Sequence, residues 1–128
     1  MKAINKCLKL AEDTAKRIRL NNHVLAVYLF GSFATGRQML SSDIDICVIG
    51  RLAERDKTEI ACEGSEKVEV SFFDELPIYI KFEVLKEGKL LYCRDKRAMH
   101  EVISATLREY QGFYWFIEKI QMYHMAKT

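Results

Sequence analysis

Two apolar runs lie on either side of a segment that contains glycine and aspartate, and this arrangement limits the possible folds more than any other feature of the chain. The first run, VLAVYLF, ends at Phe30, and the second, ICVI, begins at Ile46. Short apolar runs of β-branched and aromatic residues are typical of buried strands. The sequence therefore predicts two buried strands whose ends meet at the intervening segment, which reads GSFATGRQMLSSDID.

Asp43 and Asp45, at the end of this segment, are expected to point to the same side of the second strand. Side chains alternate along a strand, so its apolar residues share the opposite side: Ile44, Ile46 and Val48. Two neighbouring carboxylates repel each other unless a proton or a cation lies between them. A hard divalent ion such as Mg²⁺ relieves this repulsion and keeps coordination positions for phosphate oxygens. The pair therefore predicts a phosphoryl-transfer site.

A Gly-Ser pair at the start of the segment predicts a phosphate-binding turn directly after the first strand. Gly31 can adopt backbone angles that other residues avoid, and it lets a phosphate approach the main chain. The Ser32 hydroxyl and the amides of the following turn can donate hydrogen bonds to phosphate oxygens. Gly36 adds a second flexible point, and Arg37 is either a phosphate contact or a solvated loop charge.

The segment resembles the signature of the DNA polymerase beta-like nucleotidyltransferase superfamily, in which GS is followed by ten residues and then by DxD. It is most similar to the minimal nucleotidyltransferases, a small prokaryotic branch commonly encoded beside a HEPN-domain partner. Those proteins usually read GSRARG and SDIDL, where this chain reads GSFATG and SDIDI. Thr35 stands where the family has arginine, and Phe33 occupies another commonly basic position. Arg37 is therefore the candidate substitute for the missing phosphate contact.

The resemblance also implies a third carboxylate on the next strand, where the family usually has aspartate in a pattern such as VDLV. The matching segment here is VEVSFF, which puts Glu69 at that position. Alternation sets Glu69, Ser71 and Phe73 on one face and Val68, Val70 and Phe72 on the other. By resemblance, Asp43, Asp45 and Glu69 are the catalytic residues and metal ligands. The alternative is that Glu69 is an ordinary exposed strand residue.

The similarity continues through FEVLKEGKLLY, from Phe82 to Tyr92, and through the tail from Arg94 to Thr128, which is similar to the helical extension of longer family members. It implies an α/β (α+β) fold of the polymerase-beta-like nucleotidyltransferase type, with a twisted mixed sheet packed by helices. We expect a single domain over residues 1–128, with a catalytic core at 1–93 and a C-terminal helical extension at 94–128.

The same resemblance implies the reaction. The chain would transfer a nucleoside monophosphate, by resemblance AMP from ATP, to an acceptor hydroxyl, with two Mg²⁺ ions as cofactors. Gly31, Ser32 and Arg37 would bind the nucleotide. The implied acceptor is a tyrosine of a HEPN toxin partner, which would make the chain antitoxin-like.

Two other functions stay open at this point. The first is a catalytically degenerate binding protein that neutralises a HEPN partner by contact through an aromatic C-terminal helix. The second is a nucleotidyltransferase that acts on a small molecule such as an aminoglycoside. The short chain disfavours this second function, because the enzymes of that kind carry a larger acceptor domain.

Composition and charge favour a small cytoplasmic protein. The chain has 128 residues, of which 49% are hydrophobic, enough for one core. A formal net charge of +2 gives no strong attraction for nucleic acid. The N-terminal stretch MKAINKCLKLAEDTAKRIRL is charged throughout and predicts no signal peptide. No apolar stretch is long enough to span a membrane.

The four cysteines have uneven spacings without a CxxC pair, so no zinc site is expected. Their default interpretation is that of buried free thiols in a reducing compartment: Cys7, Cys47, Cys62 and Cys93. The three histidines match no catalytic spacing and are assigned no role.

Hydrophobic periodicity, together with glycine, proline and capping residues, predicts the remaining elements. We expect a first helix from Lys2 to about Leu20, a short helix or loop over Arg51–Cys62, and a third strand over Lys67–Phe73. The next helix is expected to be capped by Asp74, to have Pro77 in its first turn and to end at Gly88, before a short strand at Leu90–Tyr92. A helix capped by Asp95 is expected over Lys96–Glu109. After a break at Gly112, we expect a last helix over Phe113–Ala126.

That last helix predicts a partner surface, because its apolar residues occupy two sides. One stripe consists of Phe113, Phe116, Ile117, Ile120 and Tyr123, and a second group of Tyr114, Trp115, Met122 and Met125. If one side packs on the domain, the other exposes aromatic and thioether groups, which is typical of an interface. We expect a HEPN-domain protein, a second copy of this chain, or both to cover it. The alternative is that both sides are buried within the monomer.

Overall fold

The computed structural model describes residues 2–31 and 43–127, and the side chains of residues 5–31 and 43–121. Its helices and strands, in chain order, are α1 (Lys2–Ile18), β1 (Val24–Phe30), β2 (Ile44–Gly50), α2 (Glu54–Ala61), β3 (Val68–Phe72), α3 (Ile78–Glu87), β4 (Lys89–Cys93) and α4 (Lys96–Lys127). A 3-10 turn at Phe73–Glu75 connects β3 to α3.

The four strands form one mixed sheet in the order β3-β2-β1-β4. Strand β1 pairs antiparallel with β2 and with β4, while β2 and β3 run parallel. The parallel pair is possible because α2 carries the chain back along the sheet between the two strands. The mixed α/β architecture expected from the sequence is confirmed, and Arg51–Cys62, which the sequence left open, contains this helix.

Both faces of the sheet are covered, and side-chain alternation decides which residue enters which core. Ile44, Ile46 and Val48 of β2 pack with α1 and α2 in one core, as expected. Cys47 and Ile49 point to the other face, where they pack with α3 and α4. Each fully buried aliphatic side chain contributes about 1.5–3 kcal/mol, so a shift of β2 by one residue would exchange the two sets at high cost.

Of the two predictions on capping residues, the structure confirms one and contradicts the other. Asp95 does cap α4, because its Oδ1 accepts hydrogen bonds from the backbone amides of Arg97 at 2.9 Å and of Ala98 at 3.3 Å. The prediction that Asp74 caps α3 is wrong. Asp74 lies in the 3-10 turn, where its carboxylate accepts a hydrogen bond from Lys57 Nζ at 3.0 Å, and Pro77 occupies the cap position of α3. Strand β3 ends at Phe72, one residue earlier than expected, and Phe73, whose ring is buried, begins the 3-10 turn.

The predicted break at Gly112 is wrong, because α4 runs without interruption from Lys96 to Lys127. Glycine inside a helix costs about 1 kcal/mol relative to alanine, but it does not have to end the helix. The helix contacts the body of the protein as far as Tyr110, whose ring stacks on Phe82 with 3.9 Å between the ring centroids.

Beyond Tyr110, most of the described large apolar side chains of α4 are exposed. Phe113 and Phe116 belong to the side that was expected to pack on the domain, yet they are 37% and 55% exposed. Tyr114 and Trp115, which belong to the second group of apolar residues, are 54% and 60% exposed. Two alternatives were predicted: that one side of the helix packs on the domain, or that both sides are buried within the monomer. For these residues, both predictions are therefore wrong.

The cysteines differ in their surroundings. Cys47 is fully buried, and its pKa is raised to about 12 by burial and by the negative charge of Asp74. Cys62 is exposed, so the expectation of a buried thiol is wrong at that position. Within the described ranges, no helix is both long enough and apolar enough to cross a membrane.

Candidate active site

Gly31, Asp45 and Glu69 lie in a row across one end of the sheet. The register aligns Phe30 of β1 with Asp45 of β2, and Asp45 with Glu69 of β3. Gly31 follows Phe30 directly. Because neighbouring strands are about 4.8 Å apart, residues that are far apart in the sequence come together at this edge. The structure therefore brings the predicted turn glycine next to two of the predicted carboxylates.

Asp43 completes this group of carboxylates from the chain just before β2. The backbone amide of Ile44 donates a hydrogen bond to the carbonyl of Lys67 at 2.8 Å, and this contact aligns the start of β2 with the start of β3. Ile44 is fully buried, Asp43 is exposed, and Asp45 is half-buried. The buried isoleucine fixes the strand, so the two aspartates on either side of it are held at the rim of the sheet.

Gly31 leaves room for the carboxylate of Asp45. Its φ angle is +75°, in the left-handed region that glycine adopts without strain. A Cβ atom built on Gly31 would lie 2.5 Å from Oδ2 of Asp45. Both observations disfavour a side chain here. The sequence predicted a glycine for approach of a phosphate, and the structure adds that the same glycine accommodates a carboxylate.

The carboxylates of this row oppose one another electrostatically. Burial is the largest cause that raises the pKa of Asp45 above its ordinary value, and the negative charges of Glu69 and then of Asp43 raise it further. Both of these charges therefore act on the same carboxyl group. A proton or a cation placed among the three would remove an unfavourable interaction that the folded chain otherwise keeps.

An open depression of about 480 Å³ adjoins this row and gives it access to solvent. Asp43 and Glu69 lie on its wall, together with residues of α2, of β3 and of the connection between them: Ala61, Gly64, Ser65, Glu66, Val68 and Val70. Among the described residues, no group of three or more His, Cys, Asp or Glu side chains is already placed to hold a metal ion. The donor set consists of carboxylate oxygens, which suit Mg²⁺, but the side chains have to turn towards a common point to bind it.

Ser32 and Arg37, the other two predicted nucleotide-binding residues, lie outside the described residues, as do Phe33, Thr35 and Gly36. The predicted site residues that the structure does bring together are Gly31, Asp43, Asp45 and Glu69.

Sequence reasoning missed a hydrogen-bonded carboxylate at the opposite end of the sheet. Oδ2 of Asp56, in α2, accepts a hydrogen bond from the amide of Ala53 at 2.9 Å and lies 3.0 Å from Nδ1 of His23. Oδ1 accepts a hydrogen bond from Nδ2 of Asn21 at 3.2 Å. The amide of Ala53 is the largest cause that lowers the pKa of Asp56, followed by Asn21 and His23. A serine or threonine before α2 would have signalled a capping box, but Ala53 gives no such signal.

The same end of the sheet carries a cleft of about 560 Å³ that the sequence did not predict. Its floor includes Ile49 and Phe73, and one wall is formed by residues of α4. The polar rim includes His23, Arg51 and Arg94. These residues come from four separate segments, and no local pattern in the sequence connects them.

Comparison with known proteins agrees with this geometry. The family described as polymerase beta, nucleotidyltransferase matches residues 12–97, which is about two thirds of the chain and includes the whole row from Gly31 to Glu69. A Methanocaldococcus jannaschii protein named as a candidate protein adenylyltransferase is 36% identical over 69 residues, which are 54% of this chain and 56% of that protein. The chain therefore spans about half the length of this relative.

Solved structures share the fold. A chain in the crystal structure of a toxin-antitoxin with AMP-PNP has a TM-score of 0.69 at 23% identity, and the match covers 89% of this chain and 98% of that chain. A chain in the structure of a tri-AMPylated Shewanella oneidensis HEPN toxin in complex with an MNT antitoxin has a TM-score of 0.59 at 21% identity, with 96% of each chain covered. The polymerase-beta-like fold expected from the sequence is confirmed, and the chain belongs to the polymerase beta nucleotidyltransferase family.

Proposed function

We propose that this chain transfers AMP from ATP to a hydroxyl group of a protein, with Mg²⁺ as the cofactor. The observation that carries the proposal is the row at the sheet edge, where Asp45 lies against Gly31 and its pKa is raised by burial and by the charges of Glu69 and Asp43. Carboxylates that repel one another beside an open depression suit a divalent cation and the phosphates it accompanies.

Asp43, Asp45 and Glu69 would hold the cation, since all three present carboxylate oxygens at the same end of the sheet. When bound, Mg²⁺ neutralises the charge that develops on the transferred phosphoryl group. Glu69 would also help to accept the proton of the acceptor hydroxyl, and its exposure on the wall of the depression supports this role. Gly31, with Ser32 and Arg37, would bind the terminal phosphates of ATP through the turn that follows β1.

The acceptor in this proposal is a tyrosine of a HEPN-domain partner. The similar structures include a HEPN toxin carrying AMP in complex with an MNT antitoxin, and the relative from Methanocaldococcus jannaschii is named for protein adenylyltransferase activity. Residues 1–93 would form the catalytic core, and residues 94–128 the extension that presents partner surfaces. The exposed rings of Phe113 and Tyr114 supply apolar surface for such a contact.

The test is incubation of the full chain with Mg²⁺ and ATP labelled at the α-phosphate, with and without the HEPN protein encoded beside it. We expect label on the HEPN protein and its loss in Asp43→Ala. Absence of both label transfer and ATP binding in the wild-type chain would contradict the proposal.

The second candidate is a binding protein of the same fold that neutralises its partner by contact alone. Two observations favour it: the three carboxylates do not yet form a metal cluster among the described residues, and α4 exposes large apolar side chains. This function predicts that Asp43→Ala still inhibits the partner fully. Transfer of label by the wild type, together with loss of inhibition in Asp43→Ala, would exclude it.

A further inference from the structure

A heptad pattern runs along the exposed side of α4. One line of positions, spaced by seven residues, holds Ala98, Ala105, Gly112 and Lys119, and a second line, three residues further on, holds Glu101, Arg108 and Trp115. The buried side of the helix is a different one, which carries Met99, Val102, Ile103 and Thr106. We call the seven residues of the two lines the α4 stripe. Two lines at this spacing form the contact seam of a pair of helices when small or apolar residues occupy them, and four of the seven residues here are small or apolar: Ala98, Ala105, Gly112 and Trp115.

The residues of the α4 stripe are complementary in size when two copies of the helix run antiparallel. In such a pair each position of the first line faces a position of the second line. Placing Lys119 opposite Glu101 of the other copy also places Ala105 opposite Trp115, and Gly112 opposite Arg108. Each of the latter two layers therefore combines a small residue with a large one.

Charge and exposure select the antiparallel direction. Lys119 and Glu101 are both exposed, and the antiparallel register joins them twice in a symmetrical pair, once at each end. A parallel pair would instead place Lys119 against its own copy and Glu101 against its own copy. Like charges that face each other destabilise helix pairs, so the stripe favours only the antiparallel arrangement.

Gly112 supplies an independent argument for close approach of another chain. A Cβ atom at this position would have no neighbour within 4 Å, so nothing in the monomer requires glycine. Glycine here costs about 1 kcal/mol of helix stability relative to alanine. A helix that crosses against Gly112 would account for it, since small residues let two helix backbones approach to about 8 Å.

The exposed length of α4 suits this pair. The overlap from Glu101 to Lys119 is about 27 Å long, and beyond Tyr110 α4 exposes most of its described apolar side chains. The first turns of α4 instead border the 560 Å³ cleft with Ala98, Glu101 and Ala105. In the antiparallel pair the exposed end of one copy, with Trp115, runs along the cleft of the other.

The apolar area is also of the right order. Trp115 and Phe116 are 60% and 55% exposed, and rings of this size bury about 150–250 Å² each when covered completely. Covering the exposed fractions of these rings in both copies buries about 350–570 Å². The rest of the α4 stripe and the two clefts have to supply the remainder of the roughly 1,000 Å² that a specific interface needs.

We propose that the chain forms an antiparallel dimer through the α4 stripe, with Lys119 of each copy paired to Glu101 of the other and Trp115 of each copy packed on Ala105 of the other beside the cleft. The dimer would use one side of α4 and leave Phe113 and Tyr114, on the other side, for a different partner. It does not depend on nucleotide transfer, so transfer and dimerisation succeed or fail separately.

The test is analytical ultracentrifugation of the full chain over micromolar concentrations, with charge variants at both ends of the seam. We expect a dimer whose dissociation constant rises at least tenfold in Glu101→Lys and in Lys119→Glu, because each places like charges in two layers. The double variant restores the opposite charges in exchanged positions and should return to within about threefold of the wild type. The matched control is Glu83→Lys, the same charge reversal at an exposed position of α3, which should leave the dissociation constant unchanged.

Gly112→Leu separates loss of the dimer from loss of the fold. Leucine is a better helix former than glycine and has open space in the monomer, so the helix signal in circular dichroism should be kept or raised. The dissociation constant should nevertheless rise at least tenfold. A chain that stays monomeric throughout, a dimer unaffected by the single variants, or a double variant that is not restored would each overturn the proposal.

Discussion

An aspartate lies at each end of the sheet, and the surroundings shift the pKa values of the two carboxyl groups in opposite directions. At one end, Asp45 is half-buried beside Glu69 and Asp43, and its pKa is raised. At the other end, Asp56 receives hydrogen bonds from Ala53 and Asn21 and contacts His23, and its pKa is lowered. The ionised form is therefore disfavoured at Asp45 and favoured at Asp56.

This difference separates the carboxylate that we propose to be functional from a structural one. Asp56 is satisfied by donors of the chain itself, so it holds the connection from α1 to β1 against the start of α2 without any ligand. Asp45 is repelled by the negative charges of Glu69 and Asp43. The folded chain keeps this repulsion beside an open depression. Unfavourable electrostatics at a site beside a depression are typical of a group that awaits a ligand.

The largest effect is expected for Asp45→Asn. Loss of a carboxylate from the metal-binding group should lower the rate of AMP transfer on the order of a thousandfold. The same variant should stabilise the metal-free protein at neutral pH, by at most about 1 kcal/mol because Asp45 is partly screened by solvent. Transfer is measured with labelled ATP, and stability by urea unfolding in the presence of a chelator. A variant that is both inactive and less stable would show that Asp45 is structural after all.

Gly31→Ala should have the next largest effect. The new methyl group would meet Oδ2 of Asp45, and the backbone angle of Gly31 costs a residue with a side chain about 1–2 kcal/mol. We expect transfer to fall roughly a hundredfold, because the carboxylate has to move by about 1 Å. Gly112→Ala is the matched control, since it adds the same methyl group in open space and should leave transfer unchanged. Equal losses of transfer in both variants would contradict this explanation.

The two aspartates should also give opposite pH profiles of stability. A raised folded pKa means that the contribution of Asp45 is present below its ordinary value of 3.8 and is lost as the pH rises through the raised value. A lowered folded pKa means that the contribution of Asp56 is present above 3.8 and is lost as the pH falls through the lowered value. Urea unfolding of the wild type and of each Asp→Asn variant in the absence of metal, from acid to neutral pH, measures both differences. Profiles that run in the same direction would refute the comparison.

The smallest effect is expected for Asp56→Asn at neutral pH. The variant loses a charged acceptor for the amide of Ala53 and for the side chains of Asn21 and His23, so the melting temperature should fall. Transfer should stay within about twofold of the wild type, since Asp56 lies at the far end of the sheet from the carboxylate row. Differential scanning calorimetry and the transfer assay measure the two quantities. A large loss of transfer would mean that the two ends of the sheet are coupled.

The carboxylate row could be predicted from the sequence because it follows from periodicity. Alternation put Asp43 and Asp45 on one side of β2, and the resemblance added Glu69; the register of β2 with β3 then brought these positions together. Gly31 could be predicted as a turn residue. Its contact with Oδ2 of Asp45 could not, because that contact depends on the approach of β1 and β2 in three dimensions.

Other features could not be predicted because their causes are distant in the sequence or balanced locally. The contacts of Asp56 with Asn21 and His23 join residues more than thirty positions apart. The continuity of α4 through Gly112 depends on a small local cost that the neighbouring turns outweigh. The exposure of Phe113 and Phe116 reflects where the body of the protein ends, and periodicity within one helix carries no information on that point.

The most direct test of the account asks whether a divalent cation relieves the repulsion at Asp45. The melting temperatures of the wild type, Asp45→Asn and Asp56→Asn are measured with and without Mg²⁺ and a non-hydrolysable ATP analogue. We predict that ligand raises the melting temperature of the wild type and of Asp56→Asn by similar amounts, and that it has little effect on Asp45→Asn. An equal increase in all three proteins, or no increase in the wild type, would contradict the assignment of this end of the sheet as the metal-nucleotide site.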